Sequence, residues 1–221
     1  MRAGEDVRVE ERLRELDDRL RGPARLKAEL LVELRDALSD AAEVYREGGL
    51  PAAEAERRAV AEFGTPAQLL PAYQAELAAA ALRGLSLRAL LVALALTTAG
   101  DLTWRGSSWS DGPRPPAGYL LLSASMNGIW LVVAGLALAA LVYGPLAARR
   151  GWSTTTGRLL GLGLTGALGF ATAAGTGLFA WSLGLWDAAL TWPPMMVGAV
   201  LVGAAYFSLG RATRIWLVAA R

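Results

Sequence analysis

Residues 61–97 read AEFGTPAQLLPAYQAELAAAALRGLSLRALLVALALT, and within them the chain changes solvent. In the first half, Leu69, Leu70, Tyr73 and Leu77 recur at helical spacing among polar residues, the pattern of a helix that buries one face in water. From Leu85 onward the only charge before Asp101 is Arg88, and the run becomes long and apolar enough to cross a bilayer. The corner that opens the stretch has its own grammar. Gly64 stands where a left-handed C-cap is expected, Thr65 where an N-cap is expected, and Pro66 at the first helical position. Phe63, Gly64 and Pro66 are read as shaping this interhelical corner, with direct contact to a partner as their other use. The segment AELAAAALRG, residues 75–84, then serves as a helical lead into the first span.

Upstream of the corner the pattern is amphipathic throughout. Val9, Leu13, Leu16 and Leu20 make one short helix that stops at Gly22-Pro23. Leu26, Leu30, Leu34, Leu38, Ala41 and Tyr45 stripe a second, longer helix ending at Gly48-Gly49. Pro51 opens a third, with Ala55, Ala59, Val60 and Phe63 on one side. Together with the helix after the corner these predict a small four-helix module over residues 1–82, with a core that is marginal at this size. Its N-terminus, MRAGEDVRVEERLRELDDRL, lacks the apolar centre of a secretory signal, so this end is expected to stay in the cytoplasm.

Downstream, residues 83–221 form a membrane domain with spans expected near 86–103, 118–146, 157–183 and 194–213. With the module inside, Arg83, Arg88, Arg149, Arg150, Arg158, Arg211, Arg214 and Arg221 face the cytoplasm, against Arg105 and Arg114 outside. That bias follows the positive-inside rule, and four crossings return the C-terminus to the cytoplasm. Trp104, Trp109, Trp181, Trp186 and Trp192 fall at the outer interface and Trp152 and Trp216 at the inner one, while Trp130 alone is mid-span. The expected location is the cell membrane, multi-pass, with both termini cytoplasmic. The fold class is therefore all-α: a small cytoplasmic helical bundle followed by four transmembrane helices.

The third span carries Gly157, Gly161, Thr165, Gly169, Ala173 and Gly177 four residues apart, with Gly163 and Gly166 beside them. Small residues let a second helix approach closely in lipid. Gly157, Gly161, Gly169 and Gly177 are accordingly read as helix-packing residues, used either among the four spans or to form a homodimer or dock another membrane protein. Polar residues within spans are sparse. Asp101 and Asp187 sit near the outer ends, and Ser123 and Asn127 share one face of the second span; the set is suited to interhelical hydrogen bonding or interfacial solvation, or to lining a small outward-facing ligand pocket.

Composition removes much chemistry. Cysteine and histidine are absent and Lys27 is the single lysine, which excludes thiol nucleophiles, disulfides, imidazole bases and the usual zinc sets. No GxxxxGK[ST] loop or EF-hand pattern occurs, and GLGLTGALG lies inside an apolar span rather than after a strand. The chain is read as non-enzymatic, with no cofactor and no metal. Residues 1–84 hold 13 Lys/Arg and 17 Asp/Glu, while the remainder holds 9 and 3. A net-acidic module repels the phosphate backbone, so direct nucleic-acid binding is not expected. Its acidic residues Glu29, Glu33, Asp36, Glu54 and Glu56 form either a solvated charged face or a dock for a basic partner.

The ordered combination of an ELRDAL helix centre, a Gly-Gly turn, a P-x-x-E-A-x-x-x-A helix start, the A-x-x-E-F-G-x-P corner and a Tyr-x-x-Glu-Leu exit resembles the permease prefix domain. That domain is related to the HAAS signalling domain of bacterial, especially actinobacterial, membrane proteins. The resemblance covers about residues 10–80. It implies a membrane sensor or anchor whose cytoplasmic module binds a PadR-like transcriptional regulator. Its alternative implication is an accessory subunit of an ABC-type efflux or export system, although a four-span tail is too short for a complete permease.

Overall fold

The computed structural model describes residues 7–105, 115–150, 154–185 and 193–221. Among the described residues there are seven α-helices and no strand: α1 (Val7–Arg19), α2 (Ala24–Glu47), α3 (Ala52–Phe63), α4 (Pro66–Arg105), α5 (Ala117–Arg150), α6 (Thr154–Leu185) and α7 (Pro193–Ala219). By its internal contacts the chain divides into two units. One is Met1–Ala81 together with Ile215–Arg221, and the other is Leu82–Arg214. The two units meet within α4, and the last seven residues group with the N-terminal unit.

In the N-terminal unit α1, α2 and α3 pack on one another. Val9, Leu13 and Leu16 of α1 and Leu20 just after it meet Leu30, Leu34 and Leu38 of α2 and Leu77 of α4 in one buried cluster, with Phe63, Leu69, Leu70 and Tyr73 partly buried against it. The stripe of α2 differs at both ends from its sequence reading. Leu26 is exposed, and Ala42 rather than Ala41 is fully buried, because a straight helix turns about 100° per residue and a step of four from Leu38 stays nearer the seam than a step of three. Surface pairs bind the elements: Lys27 to Asp17 at 2.8 Å and Arg35 to Glu10 at 2.9 Å link α2 to α1.

Two corners require glycine. Between α1 and α2, a Cβ on Gly22 would stand 3.0 Å from Cβ of Leu77, so the absence of a side chain is what lets this corner close on α4. Gly64 has φ +98° and ψ 173°. This corrects the expected left-handed cap: the positive φ is there, but ψ is extended, a region open essentially to glycine alone. The next residues form half of a capping box. Gln68 Oε1 accepts from the backbone N–H of Thr65 at 2.8 Å and from its hydroxyl at 3.1 Å, tying the third residue of α4 to its N-cap. Pro66 is buried at the first helical position.

α4 then continues for 40 residues. Pro71 lies five residues after its start and the helix runs through it, at the cost of one backbone hydrogen bond. Four helices, Pro66–Thr98, Ala117–Gly144, Thr155–Leu185 and Met195–Ala219, contain windows long and apolar enough to cross a membrane.

In the second unit α5 and α6 run against each other along their length. The buried positions are Trp130, Val133, Ala137 and Ala140 on α5 and Gly161, Leu164, Leu168 and Ala171 on α6. Both follow the alternating three-four spacing of a coiled-coil-like seam. Tyr206 of α7 stacks on Trp130 with ring centroids 6.3 Å apart, and its hydroxyl occupies the space a side chain at Gly175 would need. At one end Tyr119 meets Trp181 edge to face at 5.9 Å, and Tyr119 and Ser182 share a buried hydrogen bond of 3.0 Å.

Candidate functional site

The strongest candidate lies wholly in the N-terminal unit, where the first half of α2 and the start of α4 leave a groove between them. It has a volume of about 370 Å³ and is lined by Leu26, Glu29, Leu30, Glu33, Leu34 and Ala37 from α2, by Phe63, and by Tyr73, Glu76, Leu77 and Ala80 from α4. The helical repeat explains the composition. Leu30, Leu34 and Leu77 face the core and supply an apolar base, while Glu29, Glu33 and Glu76 lie at the exposed margin. Phe63 and Tyr73 are half-buried, and Ala37 and Ala80 are too small to fill the space beside them. A shallower depression lined by Ala28, Glu29, Val32, Glu33 and Asp36 shares two of the carboxylates.

The electrostatics are one-sided. Glu29 pairs with Arg25 at 2.8 Å, but among the described residues no ion pair engages Glu33, Asp36 or Glu76. The rim therefore holds more negative charge than its neighbours neutralise, at a surface where an opposite charge would find little competition.

The five acidic residues singled out in the sequence separate into two groups. Glu29 and Glu33 line the groove and Asp36 lies in the adjoining depression. Glu54 pairs with Arg57 three residues along α3, Glu56 is half-buried on the same helix, and neither lines the groove. Glu76 joins the site without having been singled out, since its place depends on the fold bringing α4 to the other side of the groove from α2. Phe63, Gly64 and Pro66 lie at the corner between α3 and α4, and Phe63 also lines the groove.

The glycine ridge also divides. Gly161 is buried, and a Cβ on Gly157 would come within 3.7 Å of Tyr143. Gly169 and Gly177 are exposed, with nothing within 4 Å of a built Cβ. The Gly157–Gly161 end of the ridge is thus covered within the chain and the Gly169–Gly177 end is open. A strict four-residue spacing advances about 40° per step, so by Gly177 the ridge has rotated about 160° from Gly161, while the seam keeps its alternating spacing through Leu164, Leu168 and Ala171. Asn127 is exposed and Ser123 half-buried on α5. Asp187, Arg114, Trp109, Trp152, Trp186 and Trp192 lie outside the described residues, as do the side chains of Asp101, Trp104, Arg105, Arg149 and Arg150.

One residue ties the ends of the N-terminal unit together. Gln74 accepts from the backbone N–H of Arg21 at 3.0 Å, and donates to the carbonyls of Arg21 at 2.7 Å and of Ala219 at 2.6 Å. Its amide thus holds the α1–α2 corner and the end of α7 on one turn of α4. No sequence signal marks it, because its partners are backbone atoms 53 and 145 positions away.

No family model, curated protein or solved structure matches the chain.

Proposed function

We propose that the protein is a non-enzymatic integral membrane regulator whose N-terminal helical unit faces the cytoplasm and binds a soluble partner, a PadR-like transcriptional regulator. The observation that carries this reading is a helical unit with an apolar core and a groove edged by three carboxylates, of which Glu29 alone has an ion-pair partner among the described residues, on a chain that also has four helices able to cross a bilayer. Such a unit is suited to present a surface rather than to catalyse. The resemblance to permease prefix and HAAS domains points the same way. The placement of both termini in the cytoplasm is supported by the bond from Gln74 to Ala219, which puts the end of α7 in the N-terminal unit, as an even number of crossings requires.

The test is co-purification of a PadR-like regulator, encoded beside the protein, from membranes carrying either the full-length chain or a form lacking residues 1–82. Retention by the full-length chain alone supports the reading. Equal retention by both forms, or by neither, overturns it.

A second reading, an accessory subunit of an ABC-type efflux or export system, is favoured by one observation. Gly163, Gly166, Gly169 and Gly177 leave an exposed small-residue surface on α6 of the kind that lets another membrane helix approach. Loss of a co-purifying transport protein on Gly169→Leu would support it, and an unchanged complex would remove this surface from consideration.

A further inference from the structure

We infer that the groove between α2 and α4 is a receptor for a basic amphipathic helix of a soluble protein. The inference rests on the regulatory reading above and specifies the surface and chemistry of the contact. Its base is apolar, formed by Leu30, Leu34 and Leu77 with Phe63 and Tyr73 beside them, so an occupant gains by burying leucine or aromatic side chains there. The rim is Glu29, Glu33 and Glu76, so an occupant gains again by carrying Lys or Arg alongside those side chains. The α2 wall from Leu26 to Ala37 is about 16 Å long at 1.5 Å per residue. That matches three turns of a docked helix, with anchors at i, i+3 or i+4, and i+7.

Charge discriminates among occupants. A second copy of this chain would present the same acidic face of α2 and meet like charge, and an anionic lipid surface would be repelled. A basic helix has neither problem. Leu26, 38% exposed at one end of the groove, and Val32, 53% exposed in the depression beside it, are the apolar residues such a helix would cover as it extends beyond the base.

The chain contains no cysteine, which allows a direct test on the full-length protein in phosphatidylcholine nanodiscs. A dye sensitive to its surroundings is attached through Ala37→Cys, inside the groove, or through Ser39→Cys, exposed on α2 and outside its lining. The probe is an 18-residue leucine/lysine amphipathic peptide, compared with a leucine/glutamate peptide of the same pattern and with empty discs. Saturable blue-shifted emission at position 37 but not at 39 is expected with the lysine peptide and none with the glutamate peptide. Reversing Glu33→Lys and Glu76→Lys together is expected to weaken binding at least about tenfold. Both sites are exposed, so the helical circular dichroism of that variant should match the parent.

Three results overturn the inference: no saturable binding of the lysine peptide, binding that leaves the dye at 37 unchanged, or affinity indifferent to the charge reversal. The regulatory reading fails separately. A regulator that still co-purifies with the Glu33→Lys/Glu76→Lys protein removes the groove and leaves that reading standing, whereas a regulator that never co-purifies with the unaltered chain removes the reading whatever the peptide does.

Discussion

In the N-terminal unit Leu16, Leu38 and Leu77 keep at most 2% of their surface exposed, whereas Leu131, Val200 and Phe207 in the second unit stand 68 to 70% exposed. The buried positions of the second unit are to a large extent small: Ala89, Ala93, Ala137, Ala140, Gly161, Ala171 and Ala212. The same all-helical architecture is thus held together in two ways. Water drives leucines together in the first unit. In the second, lipid is as apolar as leucine and gives no such drive, so close backbone approach and a few polar pairs such as Tyr119–Ser182 take over.

The contrast breaks most visibly under truncation. Leu16→Ala should cost about 2–5 kcal/mol through lost burial and a residual cavity, whereas Leu131→Ala on the outward face of α5 should change folding by less than about 0.5 kcal/mol. Hydrogen exchange of the full-length protein in nanodiscs would register the first as faster exchange across α1 and α2 and the second as no change. Equal effects would mean that the two units share one kind of core.

Charge inverts the ranking. Leu131→Arg near the centre of α5 should cost about 2.5–3.5 kcal/mol on the membrane-insertion scale, read as loss of membrane-integrated protein. Val32→Arg, at an exposed position of the N-terminal unit, should be neutral within about 0.5 kcal/mol. An Arg tolerated at 131 would place that face in water and undo the membrane assignment of α5.

How much of this was legible in the sequence follows the same division. The stripes of α1 and α2 were readable because burial in water selects leucine at a fixed period, and Leu13, Leu16, Leu30, Leu34 and Leu38 sit where that period puts them. The four long helices were readable from hydropathy alone. The seam of the second unit was not, since an interface built from Ala and Gly looks like the lipid-facing remainder, and the brighter glycine ridge drew attention to residues that rotate away from it. The candidate groove was half legible: Glu29 and Glu33 stood out, but Glu76 and the aromatic lining needed the tertiary fold that sets α4 across the groove from α2. Gln68 carries a signal in the sequence, the Thr-x-x-Gln spacing after Gly64, whereas Gln74 carries none.

Within the second unit the seam and the ridge can be separated directly. Gly161→Leu overfills the α5–α6 contact and should destabilise by about 1–3 kcal/mol, visible as a lower melting temperature in detergent. Gly177→Leu, with open space around it, should leave that temperature within about 1 °C, equivalent to a few tenths of a kcal/mol. Reversal of this order would place the ridge, not the seam, at the helix contact.

Gln74→Ala removes three hydrogen bonds from the N-terminal unit and leaves the Ala219 carbonyl and the Arg21 backbone to find water. A loss of about 1–2 kcal/mol is expected, concentrated as faster exchange at the α1–α2 corner and in residues 215–221. Gln74→Glu keeps the size and the acceptor toward the Arg21 N–H but puts a second acceptor oxygen where the amide donated to the Arg21 and Ala219 carbonyls. It should restore the contact to the Arg21 N–H while leaving residues 215–221 loosened, which separates the two halves of the clamp.

The smallest effect concerns Tyr45, near the end of α2. Its hydroxyl donates to the carboxylate of Glu62, and this bond, then slight desolvation and the negative charge of Glu62, hold the phenol above its ordinary value of 10.0, while Arg58, stacked over the ring at 5.5 Å, pulls the other way. A raised folded value means that the neutral phenol is the form the fold prefers. Its contribution is therefore fully present below pH 10 and is lost as pH rises through the raised value. Because Tyr45 is solvated, the effect on stability should be slight, and the measurement is an ultraviolet titration of tyrosinate against a Tyr45→Phe reference. Glu62→Gln removes the charge and exchanges a strong acceptor for a weaker one, so the Tyr45 midpoint should fall toward 10. Arg58→Ala should raise it further, and a midpoint that ignores both would mean that the α2–α3 contact does not hold the ring where these two side chains can act on it.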